Sequence, residues 1–281
     1  MRESIEQAVA VGALDRLVSL LSDATAADVR YAARRLSRDG DEESSILDRA
    51  EHLASKPDPA ARRLACEILA RTHEFDPKRT VRLVEGLLDD EAWPVRDAAA
   101  TAGGRLLRAS FREMLPHVRR WADSPSPSVR RAAVIAAGKA AHRLSLERAE
   151  PLLKLLAPLL GDRDPLVRRV LGPSALGASL LRHYPRVTFE YLTQWSTSND
   201  PQILWNVAAA FSAPPAAAIA MKALIILRKL SLDERRLVWR AVASAIWRLG
   251  RRCPEVVRPE IARWLEDERR ADVAREALRH L

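Results

Sequence analysis

The chain has 281 residues and a formal net charge of +9, from 46 Lys and Arg against 37 Asp and Glu. Apolar residues make up 48% of it, yet aromatics reach only 5% and glycines number 10. That profile excludes glycine-rich nucleotide loops and turn-dense β-architectures, and it fits closely stacked helices rich in Ala and Leu.

From the first residue, MRESIEQAVA lacks a basic region followed by an apolar core, so no secretory signal is read there and a cytoplasmic location is expected. Cys66 and Cys253 stand too far apart to frame a disulfide scaffold. Cys66, within LACEIL, reads as a buried free thiol. The most apolar stretch, 207–221, contains Pro214 and Pro215 and is too short to span a bilayer, so no membrane partner is expected.

A phrase recurs along the chain: a polar turn with Asp or Pro, an aliphatic residue, an Arg, then an Ala-rich helix. It reads DATAADVRYAARRL (23–36), KPDPAARRLACEIL (56–69), DDEAWPVRDAAATA (89–102), DSPSPSVRRAAVIA (123–136) and GDRDPLVRRVLGPS (161–174). Degenerate copies follow at 198–211 and 231–244, and a partial one at 266–281. The key position falls at Arg30, Arg62, Arg96, Arg130, Arg168, Trp205, Trp239 and about Arg275, spaced for two helices and two turns. Between the phrases lie amphipathic segments at 79–88, 113–122, 149–160, 187–195 and 256–265. No apolar–polar alternation is sustained. The expected fold is one all-α, right-handed α-solenoid of about eight helix pairs over 1–281, with acidic capping repeats in 1–60, a basic core in 61–211 and C-terminal repeats in 212–281.

Charge divides unevenly along that array. Residues 1–60 carry 8 basic and 12 acidic side chains (net −4), and residues 101–190 carry 16 and 7 (net +9). Residues 191–281 carry 15 and 10 (net +5). A localised basic field points to a polyanion, most directly a nucleic-acid backbone; arginine-rich coding without function is the alternative.

The first Arg of each V-R phrase is expected to reach an Asp in a neighbouring turn, forming a structural ladder. The second, at Arg63, Arg131 and Arg169, is rotated about 100° around its helix. With Arg34 and Arg35 these are candidate phosphate ligands on the inner surface, or simply a solvated face. The predicted nucleic-acid set is Arg63, Arg96, Arg130, Arg131, Arg168, Arg169, Trp205 and Trp239, where packing is the alternative for the two indoles.

The D-x-x-V-R phrase resembles HEAT-like repeats. A narrower likeness lies in WADSPSPSVRRAAVIAAG (121–138), DPLVRRVLGPSALGASLLRHYPRVTFEYLTQW (164–195) and the DEAWPVRD turn (90–97), which together resemble the AlkD-type DNA alkylation-repair glycosylases. The resemblance implies duplex DNA in a basic concave groove and excision of cationic alkylated purines without a pocket for the lesion. It gives Trp93 the aromatic role and Asp97 the carboxylate role. Losing an already cationic base needs no proton donor, only a negative charge near an oxocarbenium-like sugar. Positions i and i+4 share a helix face, so Trp93 and Asp97 can meet one target. The structural alternatives are a helix-dipole carboxylate after Pro94 and a gap-filling indole. Where the family carries a further aromatic, this chain reads LGPSALG (171–177).

Other chemistry is set aside. The six histidines, His52, His73, His117, His142, His183 and His280, include one His-Glu pair, His73-Glu74, so neither a metal site nor a cofactor is expected. No P-loop, G-x-S-x-G or Cys-x-x-Cys motif occurs. The competing function is a non-enzymatic scaffold whose groove holds an acidic protein partner.

Overall fold

All eight phrases begin helices, because an Asp, Thr or Pro at each turn starts the helix and an Ala-rich run sustains it. In this computed structural model, residues 1–37, 43–72 and 76–279 are described. His73, Glu74 and His280 lie outside the described residues. The chain forms two compact units, Met1–Ala140 and Ala141–Leu281. The charge-based boundaries at 60 and 211 fall inside units. Among the described residues there is no strand, and no single helix is long and apolar enough to cross a membrane.

The first unit contains four pairs: α1 (Arg2–Ala10) and α2 (Leu14–Leu21) with α3 (Ala26–Leu36), α4 (Glu43–Ala54) with α5 (Pro59–Leu69), α6 (Pro77–Leu87) with α7 (Trp93–Ala109), and α8 (Phe111–Ala122) with α9 (Pro127–Ala140). The phrase helices α3, α5, α7 and α9 pack one on the next, while α4, α6 and α8 cover their other side. Thr25 and Asp58 accept from backbone N–H groups at the starts of α3 and α5, satisfying donors a helix end leaves open. The closest crossing joins α7 and α9. Buried Ala99 and Ala100 face a run of buried alanines on α9, from Ala132 to Ala140. A Cβ at Gly104 would stand 2.6 Å from the Cβ of Lys139, and one at Gly103 would stand 2.7 Å from the Trp121 ring. Only glycine admits that approach.

The second unit contains the other four pairs. They are α10 (Ala149–Leu156) with α11 (Pro165–Val170), α13 (Pro185–Trp195) with α14 (Pro201–Ala210), α15 (Ala220–Leu230) with α16 (Arg236–Gly250), and α17 (Pro254–Glu266) with α18 (Ala271–Leu278). After α11 the backbone widens into a π-helix over Leu171–Leu180, then a last turn, α12 (Leu181–His183). Pro173 supplies no N–H, so the ordinary ladder cannot run through this segment. Gly172 and Gly177 let it press against the α14 backbone. The α14, α16 and α18 helices continue the stack.

The expected ladder takes a partly different form. Arg62 does reach the next turn, donating to both carboxylate oxygens of Asp90 at 2.7 and 2.9 Å. It also donates to the carbonyls of Lys56 and Pro57 in its own turn. Arg96 caps its own turn, through the Asp90 and Glu91 carbonyls, and Arg130 donates to the Ser124 and Pro125 carbonyls of its own. A recurrent interaction is therefore between the arginine and carbonyls five and six residues earlier, to which Arg62 adds the inter-repeat ion pair with Asp90. Cys66 is a fully buried free thiol, as its apolar setting suggests.

Two stability outcomes follow. Arg62 and Asp90 side chains are 9% and 8% exposed, so Arg62→Ala strands a buried carboxylate and should cost about 3 kcal/mol in urea denaturation. The exposed Arg186–Glu190 pair should cost almost nothing when broken. In the second unit Glu260, 2% exposed, accepts from Arg228 and from the Trp264 indole. Burial works to raise its carboxyl, but those hydrogen bonds and the Arg228 and Arg263 charges hold it below its ordinary value of 4.5. A depressed folded value gives stability that is present above the unfolded value and lost as pH falls through the folded one. Thermal melts should therefore lose stability below about pH 4.5, and Glu260→Gln should flatten that acid limb.

Candidate functional site

The site is assembled at the N-terminal half of α7. Pro94 lies in its first turn, and Ala92 provides no side-chain cap. The Arg96 guanidinium ties down the preceding turn instead, fixing where the helix begins. Trp93 stands at that beginning, 45% exposed. Asp97 follows one turn later, its side chain 54% exposed. Both line one cleft of about 460 Å3 in the first unit, so the i, i+4 spacing does bring them to one place.

Arg131 reaches the pair from α9. Its Nη2 donates to Asp97 Oδ1 at 2.8 Å, and its guanidinium carbon lies 4.1 Å from the Trp93 ring centroid. The Arg131 side chain is only 8% exposed. It sits as a buried prop behind a carboxylate and an indole that both face solvent, with the guanidinium occupied by these two partners. The Arg96 guanidinium carbon lies 5.5 Å from the same ring.

Around this trio the cleft is mostly cationic. Arg30, Arg63, Arg105 and Lys139 line it, against Glu67 and Asp97. Arg105 is ion-paired with Glu67, which is 9% exposed. Arg30 and Lys139 are exposed and Arg63 half-buried, and among the described residues these three form no ion pair. Arg71, nearby on α5's C-terminal side, has its guanidinium pushed down, chiefly by burial and then by the Arg105 charge. The field of the cleft is thus positive around one exposed carboxylate.

The predicted residues fall into two sets. Trp93, Asp97, Arg63 and Arg131 meet in this cleft, while Arg96 and Arg130 hold their own turns. Arg34 is exposed, and Arg35 pairs with Glu6 at 3.3 Å. Arg168, Arg169, Trp205 and Trp239 belong to the second unit. There Arg169 is exposed, and Arg168 lies 5.9 Å from the half-buried Trp205 ring. Trp239 is half-buried as well. Sequence reasoning missed Glu67, Arg105 and Lys139. The signal was present in part: Asp97, Thr101 and Arg105 recur at four-residue spacing on one face of α7. Lys139 has no such mark, since it enters the cleft only through the glycine-permitted crossing. Among the described residues no group of His, Cys, Asp or Glu is placed to hold a metal ion.

No curated protein matches the chain. Among solved structures, AlkD2 from Streptococcus mutans is similar at 20% identity and a TM-score of 0.57, with 74% of this chain and 97% of AlkD2 covered. A second Streptococcus mutans structure, smu.31, aligns over 98% of each chain at 16% identity and a TM-score of 0.40. At 20% identity the likeness to AlkD2 is one of fold. The family model described as DNA alkylation repair enzyme matches residues 24–174, a span that takes in every residue of the cleft. Covering more than half of the chain, that match makes this protein a member of the DNA alkylation repair enzyme family.

Proposed function

We propose that this protein grips duplex DNA along the cationic cleft of its first unit and excises cationic alkylated purines by breaking the N-glycosidic bond. The observation that carries the reading is a solvent-facing carboxylate, Asp97, one turn from a solvent-facing indole, Trp93, in a cleft where every other exposed charge is positive. Alkylation at N3 or N7 already gives the base a positive charge. When the C1′–N bond breaks, its electron pair goes to the base, which leaves neutral, and the positive charge passes to the sugar. Asp97 stabilises that oxocarbenium-like charge, and water then adds at C1′ with loss of a proton. The Trp93 indole attracts the electron-poor face of the lesion before the bond breaks. Arg131 positions both groups, while Arg30, Arg63 and Lys139 meet phosphates. The fold's other use, as a scaffold for an acidic protein, gives no role to an exposed carboxylate in the same cleft.

The decisive measurement is release of 7-methylguanine or 3-methyladenine from methylated duplex. Asp97→Asn keeps the size of the side chain and should lower the rate about 100-fold or more while leaving affinity nearly unchanged. Equal release by wild type and variant removes Asp97 from the reaction. Duplex affinity should fall steeply with salt, and Arg63→Ala and Lys139→Ala should each reduce the slope of log K against log salt by roughly 1. A pull-down whose partners survive nuclease treatment, together with salt-insensitive duplex binding, would favour the acidic-protein scaffold.

A further inference from the structure

The second unit has a cleft of its own, built in the register of the first and with different chemistry. In α7 the sequence Val95–Arg96–Asp97 starts the cleft-lining stripe, which continues through Thr101 to Arg105. In α16 the matching residues are Val238–Trp239–Arg240, and the stripe continues through Ser244 to Arg248. Arg240 and Ser244 line a cleft of about 300 Å3 with Trp247 and with Glu276 of α18. That volume is at the small end of ligand pockets. The residues lie outside the 24–174 segment that the family model matches, so the family's chemistry does not account for them.

The stripe has changed sign. Where α7 presents a carboxylate, α16 presents Arg240, 54% exposed. Glu276 is the lining carboxylate, and it is occupied by Arg240 at 3.8 Å and by Arg279 at 2.8 Å. The half-buried Trp247 is flanked by two exposed guanidiniums, Arg248 and Arg251, at 5.6 and 5.9 Å from its ring centroid. Stacking contact lies nearer 3.5–4 Å, so neither cation lies against the ring as Arg131 does against Trp93. An indole beside two cations, with a serine hydroxyl and an arginine within one small cleft, matches a nucleobase joined to phosphates. It does not match a cationic lesion, which these guanidiniums would repel.

We propose that this cleft binds an unpaired nucleotide of single-stranded nucleic acid. The base stacks on Trp247, flanking phosphates meet Arg248 and Arg251, and Arg240 and Ser244 hydrogen-bond the nucleotide's polar edge. The site is independent of excision at Asp97 and remains if that reading fails.

The test uses the full chain carrying Arg63→Ala and Lys139→Ala, so that the first unit's cleft contributes little. The probe is a fluorescein-labelled single-stranded thymidine decamer followed by anisotropy. Adding Trp247→Ala should weaken binding about tenfold or more, and Trp247→Phe should restore most of it. Arg248→Ala with Arg251→Ala should lower the salt slope by roughly 0.7 for each lost contact. The arginines are exposed, so that pair decides the matter if Trp247→Ala loses its helical circular dichroism. Decamer binding that is unchanged in both the Trp247→Phe/Ala series and the arginine pair overturns the proposal. Stronger competition by polyglutamate than by unlabelled decamer overturns it too, since the cleft would then be a site for acidic peptides.

Discussion

Successive phrase helices can carry a site only if they approach closely enough for one helix's side chains to reach the next. In the first unit that approach is set by small residues. Ala99, Ala100, Gly103 and Gly104 of α7 meet the alanine run of α9, and a Cβ on Gly104 would already collide with Lys139. The close crossing is what lets a guanidinium rooted on α9 donate to Asp97 and lie against Trp93. It also brings Lys139 over the same cleft. Larger residues along this seam would bury more apolar area, yet they would separate the three groups by more than a hydrogen bond spans. The high alanine content of the chain therefore sets the geometry of the site as well as its helicity.

One residue of rotation then separates structure from function. The arginine at the key position faces back to its own turn, where it donates to carbonyls of the turn that precedes the helix. Arg62, Arg96 and Arg130 all do this. The next position, about 100° away, faces the neighbouring phrase helix and the cleft. It holds Arg63, Asp97 and Arg131, which differ in burial and charge. Because the turn arginine already fastens each helix start, the following residue is free to vary without loss of the fold. Repetition supplies the frame, and the residue after the repeated one sets what the cleft presents.

That division explains what the sequence disclosed. Helix pairs were legible because the phrase recurs at a regular interval with its capping residues. The meeting of Trp93 and Asp97 was legible because it needs only the pitch of a helix. The Asp97–Arg131 bond spans 34 residues and depends on the offset between two helices, which no local pattern encodes. The burial of Arg131 beside the half-buried Arg63 is likewise a product of neighbours, since both appear as the second residue of an Arg-Arg pair. The key arginine is expected from the sequence to reach an Asp in a neighbouring turn. Arg62 meets Asp90 of the next turn, while Arg96 and Arg130 also donate to carbonyls of their own turns, which no side-chain pattern announces. The π-helical stretch shows the same limit: Pro173 announces a break in hydrogen bonding but not the widened turn that absorbs it.

In the proposed excision a buried arginine behind the carboxylate works, at first sight, against stabilising a cation, because the pair is neutral overall. Distance resolves the objection. A positive sugar about 4 Å from the exposed carboxylate gains about 4 kcal/mol at an effective dielectric of 20, while a guanidinium roughly 7 Å away on the far side costs about 2. The attraction wins by a margin that matters on the scale of a rate. The arginine in turn keeps the carboxylate aimed, so that little reorganisation is needed as charge develops. Under the proposed excision, removing Arg131 would lower the net positive charge of the cleft and still slow base release, since a carboxylate free to turn toward solvent or toward Arg63 and Lys139 loses its aim. Orientation at this site outweighs net charge, and the buried prop is the feature that supplies it.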